Sequence, residues 1–437
     1  MMNILERRKY RGLKIPNYKE STADKLVVEA TVPEELCFPM AMHIGAPAVP
    51  CVEVGDRVKI GTLLGTAEGK ISANIRSSVS GKVVAVEKRA SFRGESETVV
   101  VQNDFTDAEE NLPALQEEIG PKEFSARLAA SGITGKGGAG FPAGVKYAMD
   151  KEETRYLLVN GSECEPYSTT DYRIMTEYPE EIIAIIELIT RVYQLEESVI
   201  AVEDHMKDAL LALQEAIKKR GAKRIRIHSL PSEYPAGHAA LQIRQVLGIE
   251  MEEGQRSGDA GILQSNVSTI KAMYDALINN QSLTRRVITV TGPMLKEPKN
   301  LMVRLGTGVQ HLIDECGGLK GEADMINGGP MMGRPFFDTD LPVDKDTTTL
   351  LFLEKKEKPK ETPCIRCARC VDHCPVALQP IVISNSYRQN RWDRAKELRA
   401  ESCISCGVCT YVCPANIDLL KDIQALNKQW EENRNDD

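Results

Sequence analysis

Hydrophobic and polar positions alternate through the first hundred residues, and glycines punctuate the alternation. Val54-Gly55-Asp56-Arg57-Val58-Lys59-Ile60-Gly61 reads as strand–turn–strand, and Ser80-Gly81-Lys82-Val83-Val84-Ala85-Val86 repeats the style. From Lys122 the period lengthens. Helices are predicted over 123–131, 180–193 and 205–219, interleaved with short apolar strands over 155–160, 198–202 and 224–228. Strands alternating with helices imply a mostly parallel sheet. The apolar stretch 182–192 is broken by Glu187, Thr190 and Arg191, so it reads as one helix face on a core. A third style follows. Strand 287–291 is β-branched, 302–305 is its expected partner, and helix 309–316 stops at Gly317-Gly318. The fold class is therefore multidomain, mixing α/β and α+β parts.

Length changes this picture little: 437 residues suit about three domains. Charge excludes more. A net charge of −8 without a strong basic patch argues against nucleic acid. No run reaches the ~18 apolar residues of a membrane span, so any membrane contact is expected to be peripheral, through partner subunits. Acidic, polar 104–118, with Pro113, reads as one linker, and charged 355–363 as another. Reduced thiols and the lack of a signal segment point to the cytoplasm.

Eight of the twelve cysteines form two matching runs. Cys364, Cys367, Cys370 and Cys374 precede Pro375; Cys403, Cys406, Cys409 and Cys413 precede Pro414. Both read C-x2-C-x2-C-x3-C-P, the pattern of two-cluster bacterial ferredoxins, in which the fourth cysteine of each run ligates the other cluster. One [4Fe–4S] cube is thus assigned to Cys364, Cys367, Cys370 and Cys413, the other to Cys403, Cys406, Cys409 and Cys374. Zinc does not need four cysteines at this spacing twice over. Cys37, Cys51 and Cys316 read as ordinary thiols, while Cys164, between two glutamates, is expected to hold a raised pKa.

Two further segments carry chemistry. Gly135-Lys136-Gly137-Gly138-Ala139-Gly140-Phe141-Pro142 precedes a helix bearing Lys146. Such a turn lets backbone amides approach phosphate oxygens. Val159-Asn160-Gly161-Ser162-Glu163-Cys164-Glu165-Pro166 follows a predicted strand, at the end where α/β folds bind ligands.

G-x-G-G-A-G-F-P with N-x-x-E-x-E-P resembles the flavin- and NADH-binding subunit of respiratory complex I. The order of parts resembles RnfC, a subunit of the Rnf ion-translocating electron-transport complex, across nearly the whole chain. V-x-x-G-D-x-V-x-x-G with S-G-x-V, and His43-Ile44-Gly45-Ala46-Pro47-Ala48, resemble its barrel-sandwich segment. The resemblance implies a barrel-sandwich hybrid over 1–105, a Rossmann-like NADH/FMN domain over 118–258, a β-grasp, SLBB-like domain over 259–350 and a two-cluster ferredoxin-like domain over 360–437. It implies FMN and NADH contacts from Gly135, Lys136, Gly137, Gly138, Gly140, Phe141, Lys146, Asn160, Glu163, Glu165 and Asn266, and redox partner subunits or a partner reductase. Lys70 lies near the modified lysine of carrier domains, but its flanks match neither carrier signature.

Two departures stand out. The G-G-x-H-P-like stretch is Arg11-Gly12-Leu13-Lys14-Ile15-Pro16, without histidine. Y-P-x-G-G-E has become Tyr234-Pro235-Ala236-Gly237-His238-Ala239, so an expected pocket glutamate is missing. The rival reading is a non-enzymatic ferredoxin-type relay that has lost its flavin.

Overall fold

A computed structural model describes residues 12–435 apart from 117, 139, 253 and 358. Arg11 of the departed N-terminal stretch and Ala139 of the glycine loop lie outside the described residues.

The alternating N-terminal region forms two small sheets. Strands Glu35–Pro39, Gly94–Asn103, Gly81–Ser91 and Arg57–Val58 lie in that order in one; Val49–Pro50, Leu63–Thr66 and Ile75–Arg76 form the other. The period of two explains the core: Leu36 and Phe38 point inward with Val99 and Val101, and Cys37 between them does not. Lys70 is exposed on the connection between Leu63–Thr66 and Ile75–Arg76.

The α/β region holds a four-stranded parallel sheet, ordered Ile225–Leu230, Glu197–Glu203, Tyr156–Gly161, Ile262–Asn266. Helix Pro179–Val192 buries Ile182, Ile183, Ile185, Ile186 and Ile189 on its core face. Beyond residue 258, Ile262–Asn266 pairs with Tyr156–Gly161, and helix Val267–Leu277 packs on the same core. The sequence style changes near 258, but the hydrogen-bonded sheet does not end there.

The third region is a six-stranded sheet, ordered Val27–Glu29, Lys299–Arg304, Arg285–Thr291, Thr349–Glu354, Ala323–Asn327, Arg334–Phe336. The expected pairing holds, with Val287 opposite Met302 in an antiparallel register. Helix Val309–Glu315 ends where Gly317 and Gly318 take positive φ and their amides return to Asp314 and Ile313. Strand Val27–Glu29, within the segment expected as the barrel-sandwich, lies parallel to Lys299–Arg304 in this sheet. Asn300 fixes this attachment, donating to the carbonyls of Thr22 (2.8 Å) and Lys25 (3.0 Å).

The cysteine region is an internal repeat. Helix Arg369–Asp372 corresponds to Val408–Tyr411, and Pro380–Arg388 to Leu419–Asn435. Positive φ recurs at matching places: Arg366 and Ser405, Ala368 and Gly407, Ala377 and Asn416. Among the described residues no helix is long and apolar enough to cross a membrane.

Candidate electron-transfer site

Strand register builds the edge of the site. Asn160 lies opposite both Ala201 and Asn266, so two asparagines stand side by side at the carboxyl ends of parallel strands. Asn160 Nδ2 donates to Gly237 O at 2.9 Å, and its Oδ1 accepts from Ser162 N at 2.9 Å and Gln242 Nε2 at 2.9 Å. Asn266 caps helix Val267–Leu277 by accepting from Ser268 N at 2.8 Å, and its Nδ2 donates to Asp171 at 2.6 Å. Asp171 is buried and pushed up to about 7, first by burial and then by the nearby Glu163 charge.

The glycine loop lies against this cap. A side chain on Gly137 would run into Asn266 Cβ at 3.1 Å. Gly135 N donates to Phe141 O at 2.8 Å, closing the loop, and Lys136 N donates to Thr269 Oγ1 at 2.9 Å. The amides of Gly137 and Gly138 have no acceptor among the described residues. Both glycines are exposed, and Gly138 has φ +95 with open space where a side chain would stand. Lys136 is buried and held well below its ordinary pKa by burial and the neighbouring Arg286. Lys146 donates to Gln264 O at 3.1 Å and lies 5.9 Å from the Phe141 ring centroid. Unpartnered amides beside a helix N-terminus suit a phosphate. These residues fit the phosphate end of FMN.

The loop is clamped from two other regions. Gly140 O accepts from Ile44 N at 3.2 Å, and Gly140 abuts Arg93, which is ion-paired with Asp346. Arg286, 1% exposed, donates to Lys136 O at 3.3 Å and also to Lys345 O.

The two expected glutamates are engaged within the chain. Glu163 accepts from Ser168 Oγ (2.7 Å), Asp171 N (2.9 Å) and Tyr172 N (3.2 Å), capping helix Thr170–Glu177. Glu165 accepts from Met331 N at 3.1 Å and Met332 N at 2.8 Å. Their geometry is that of positioning groups: one shapes the loop, the other ties it to the β-grasp region. Cys164 is pushed up to about 12, chiefly by burial, with Glu203 and Glu165 adding. His238 precedes helix Ala239–Leu247; its Nδ1 is buried without a partner, and burial lowers its pKa. Ala239 is exposed.

Glu203 ends its strand buried, with Oε1 unpartnered, and burial raises it to about 7. A carboxyl raised in the folded state holds its proton there longer than in the unfolded chain. Its stability contribution is complete below the ordinary pKa near 4.5 and is lost as pH rises through about 7. Glu203→Gln is therefore expected to raise the thermal midpoint more at pH 8 than at pH 5. Equal shifts at both pH values would refute this.

The cysteines fall in two neighbouring places. Cys374 lines one cavity with Cys403, Cys406 and Cys409. Cys370 and Cys409 share a second apolar cluster with Ala415, Ile417 and Leu419, and Cys413 packs against it. Cys364 and Cys367 are exposed on the outer side. Among the described residues no three ligating side chains converge on a point that would hold one metal ion. A cube spreads its thiolates around a larger void, and the Cys374 cavity is such a void. Tyr234 joins the cavity to the α/β edge: its hydroxyl donates to Cys406 O at 2.8 Å, and it packs with Leu13, Cys164, Met331 and Val408.

Arg286, Asp171 and Tyr234 are missing from the sequence-derived set. Arg286 had a readable signal, because alternation along Arg285–Thr291 puts it on the same side as Ile288 and Val290.

The domains match known families in chain order. An RnfC barrel sandwich hybrid domain matches residues 8–106, a Nuo51 FMN-binding domain 128–275, an SLBB domain 287–335 and a 4Fe-4S dicluster domain 363–417. An FMN-binding-type α/β domain joined in one chain to a 4Fe-4S dicluster domain defines an electron-transfer subunit of an oxidoreductase. The RnfC-type subunit of the Na(+)-translocating ferredoxin:NAD(+) oxidoreductase complex of Acetobacterium woodii is 36% identical over 89% of this chain and 89% of its own. Its proton-translocating counterpart in Clostridium ljungdahlii is 37% identical over 88% and 86%. The chain belongs to the RnfC family. A chain of an NAD+-reducing [NiFe]-hydrogenase shares the fold at TM-score 0.51 and 16% identity, over 70% of this chain; the match spans 62% of the hydrogenase chain.

Proposed function

We propose that this chain is the electron-input subunit of a ferredoxin:NAD oxidoreductase-type complex, exchanging electrons between NADH and a partner redox protein. The observation that carries this reading is one continuous edge. The loop bearing the unpartnered amides of Gly137 and Gly138 abuts Asn266, Asn266 lies in register with Asn160, Asn160 holds the Gly237 turn, and Tyr234 links that turn to Cys406. A bound FMN would supply the conversion between a two-electron hydride and single electrons, which an iron–sulfur cube takes one at a time.

The chain's own residues position and insulate. Gly135, Gly137, Gly138 and Gly140 shape the phosphate cradle, with Lys136 within the loop and Lys146 on the helix that follows it. Asn160 holds the Gly237 turn, Asn266 holds the cap, and Phe141 borders the nucleotide. Glu163 and Glu165 brace the opposite loop. Cys403, Cys406, Cys409 and Cys374 hold the inner cube; Cys364, Cys367, Cys370 and Cys413 hold the outer one. Membrane contact is peripheral and made through partner subunits on the cytoplasmic face.

A flavin-free relay is the second reading, favoured by Gly237-His238-Ala239. Anaerobically purified protein, reconstituted with FMN and then denatured, is expected to release about one fluorescent flavin per chain, the conversion needing a single one. A stoichiometry near zero would leave only the relay.

A further inference from the structure

The two cysteine turns are copies, and one of them shows how such a turn is covered. In the inner copy Ile404, Cys406 and Val408 pack against Leu13, Ile15, Tyr234 and Met331. Gly407 lies so close to Met331 that a side chain there would meet its carbonyl at 2.9 Å. The corresponding outer positions are Ile365, Cys367, Arg369 and Ala368. They share the backbone, including positive φ at Arg366 and Ala368, yet residues 361–369 are all exposed and Ile365 is 66% exposed. Where the inner turn has Ser405 and Val408, the outer turn has Arg366 and Arg369.

These cations have no ion-pair partner among the described residues, and neither has Lys360. The neighbouring acids are already engaged: Glu361 pairs with Arg388, and Asp372 has a contact within the chain. An uncompensated positive rim around an exposed isoleucine is unusual on a chain of net charge −8.

We infer that the outer turn, Ile365 with Arg366, Arg369 and Lys360, is the docking surface for an acidic electron-transfer protein. The partner presents an apolar spot for Ile365, as Met331 and Tyr234 do for the inner turn, ringed by carboxylates for the two arginines. Docking there places the partner against Cys364 and Cys367, the exposed ligands of the outer site. The inference rests on the proposed electron-transfer role but concerns recognition, and binding reads it without NADH or flavin.

The test uses the full, anaerobically reconstituted protein, an acidic two-cluster ferredoxin as probe, and calorimetry at low and high salt. Binding of the wild type is expected to weaken at least about tenfold between them, as an electrostatically assembled contact does. Arg366→Glu with Arg369→Glu should weaken it about tenfold or more at low salt. Lys360→Glu and Ile365→Ser, outside the ligands, should each weaken it about threefold, and they stand in should the double variant lose iron. Salt-insensitive binding, no binding, or unchanged affinity in these variants would overturn the docking surface. Normal binding with no reduction of the clusters by NADH would count against the proposed function alone.

Discussion

Replacing Cys374 with alanine is expected to remove the inner iron–sulfur site while sparing the outer one. Cys374 closes the first run in sequence but shares its cavity with Cys403, Cys406 and Cys409, three residues of the second. Iron should fall from about eight to about four per chain, each cube holding four. The remaining signal in electron paramagnetic resonance should be the one that Cys413→Ala abolishes. The two substitutions also differ in consequence. The inner site adjoins Tyr234 and the nucleotide edge. Cys374→Ala should therefore cut NADH-driven reduction of the outer site, whereas Cys413→Ala should leave the inner site reducible. If Cys374→Ala removed the signal belonging to Cys364, Cys367 and Cys370, the crossed assignment would be wrong.

The second large effect lies under the glycine loop. Arg286 is 1% exposed and donates to the carbonyls of Lys136 and Lys345, from two different regions. Burial lowers its pKa to about 10, while Asp346, Asp171 and Asp344 hold its charge in place. Arg286→Met fills the volume but leaves two buried carbonyls and nearby carboxyls without their cation. Removing one partner of a buried ionic network costs about 3–5 kcal/mol. The first thermal transition should fall by several degrees, and FMN affinity should fall with it, because Lys136 would lose its anchor. Arg286→Lys keeps the charge but cannot span both carbonyls, so it should fall between. A variant with wild-type melting and flavin affinity would show that the clamp is unimportant.

Much of this was legible because it was local. The cysteine spacing is complete within each run, and the isoleucine face of Pro179–Val192 repeats every three or four residues. Glycine-terminated helix Val309–Glu315 carries its own stop signal. What escaped was decided by distant partners. Nothing around Glu165 reveals that it accepts from Met331 and Met332, and Glu163 resembles a ligand-facing acid until its helix cap is seen. The nucleotide-edge role of Asp171 depends on Asn266 and Ser268, nearly a hundred positions away. Val27–Glu29 is three residues long, too short to show any period.

That short strand limits how the protein can be cut. Four family modules follow one another along the sequence, which invites exchange at their junctions. Yet the peptide preceding the first module's strands is stitched into the third, beside Lys299–Arg304 and under Asn300. A chimera joined after residue 106 would exchange an edge strand of the β-grasp sheet along with the barrel-sandwich. A fragment starting at the nucleotide domain would bare Lys299–Arg304 as a naked sheet edge, ready to pair with a neighbouring molecule. Domain grafts of this protein need to keep residues 22–29 with the β-grasp module they clasp.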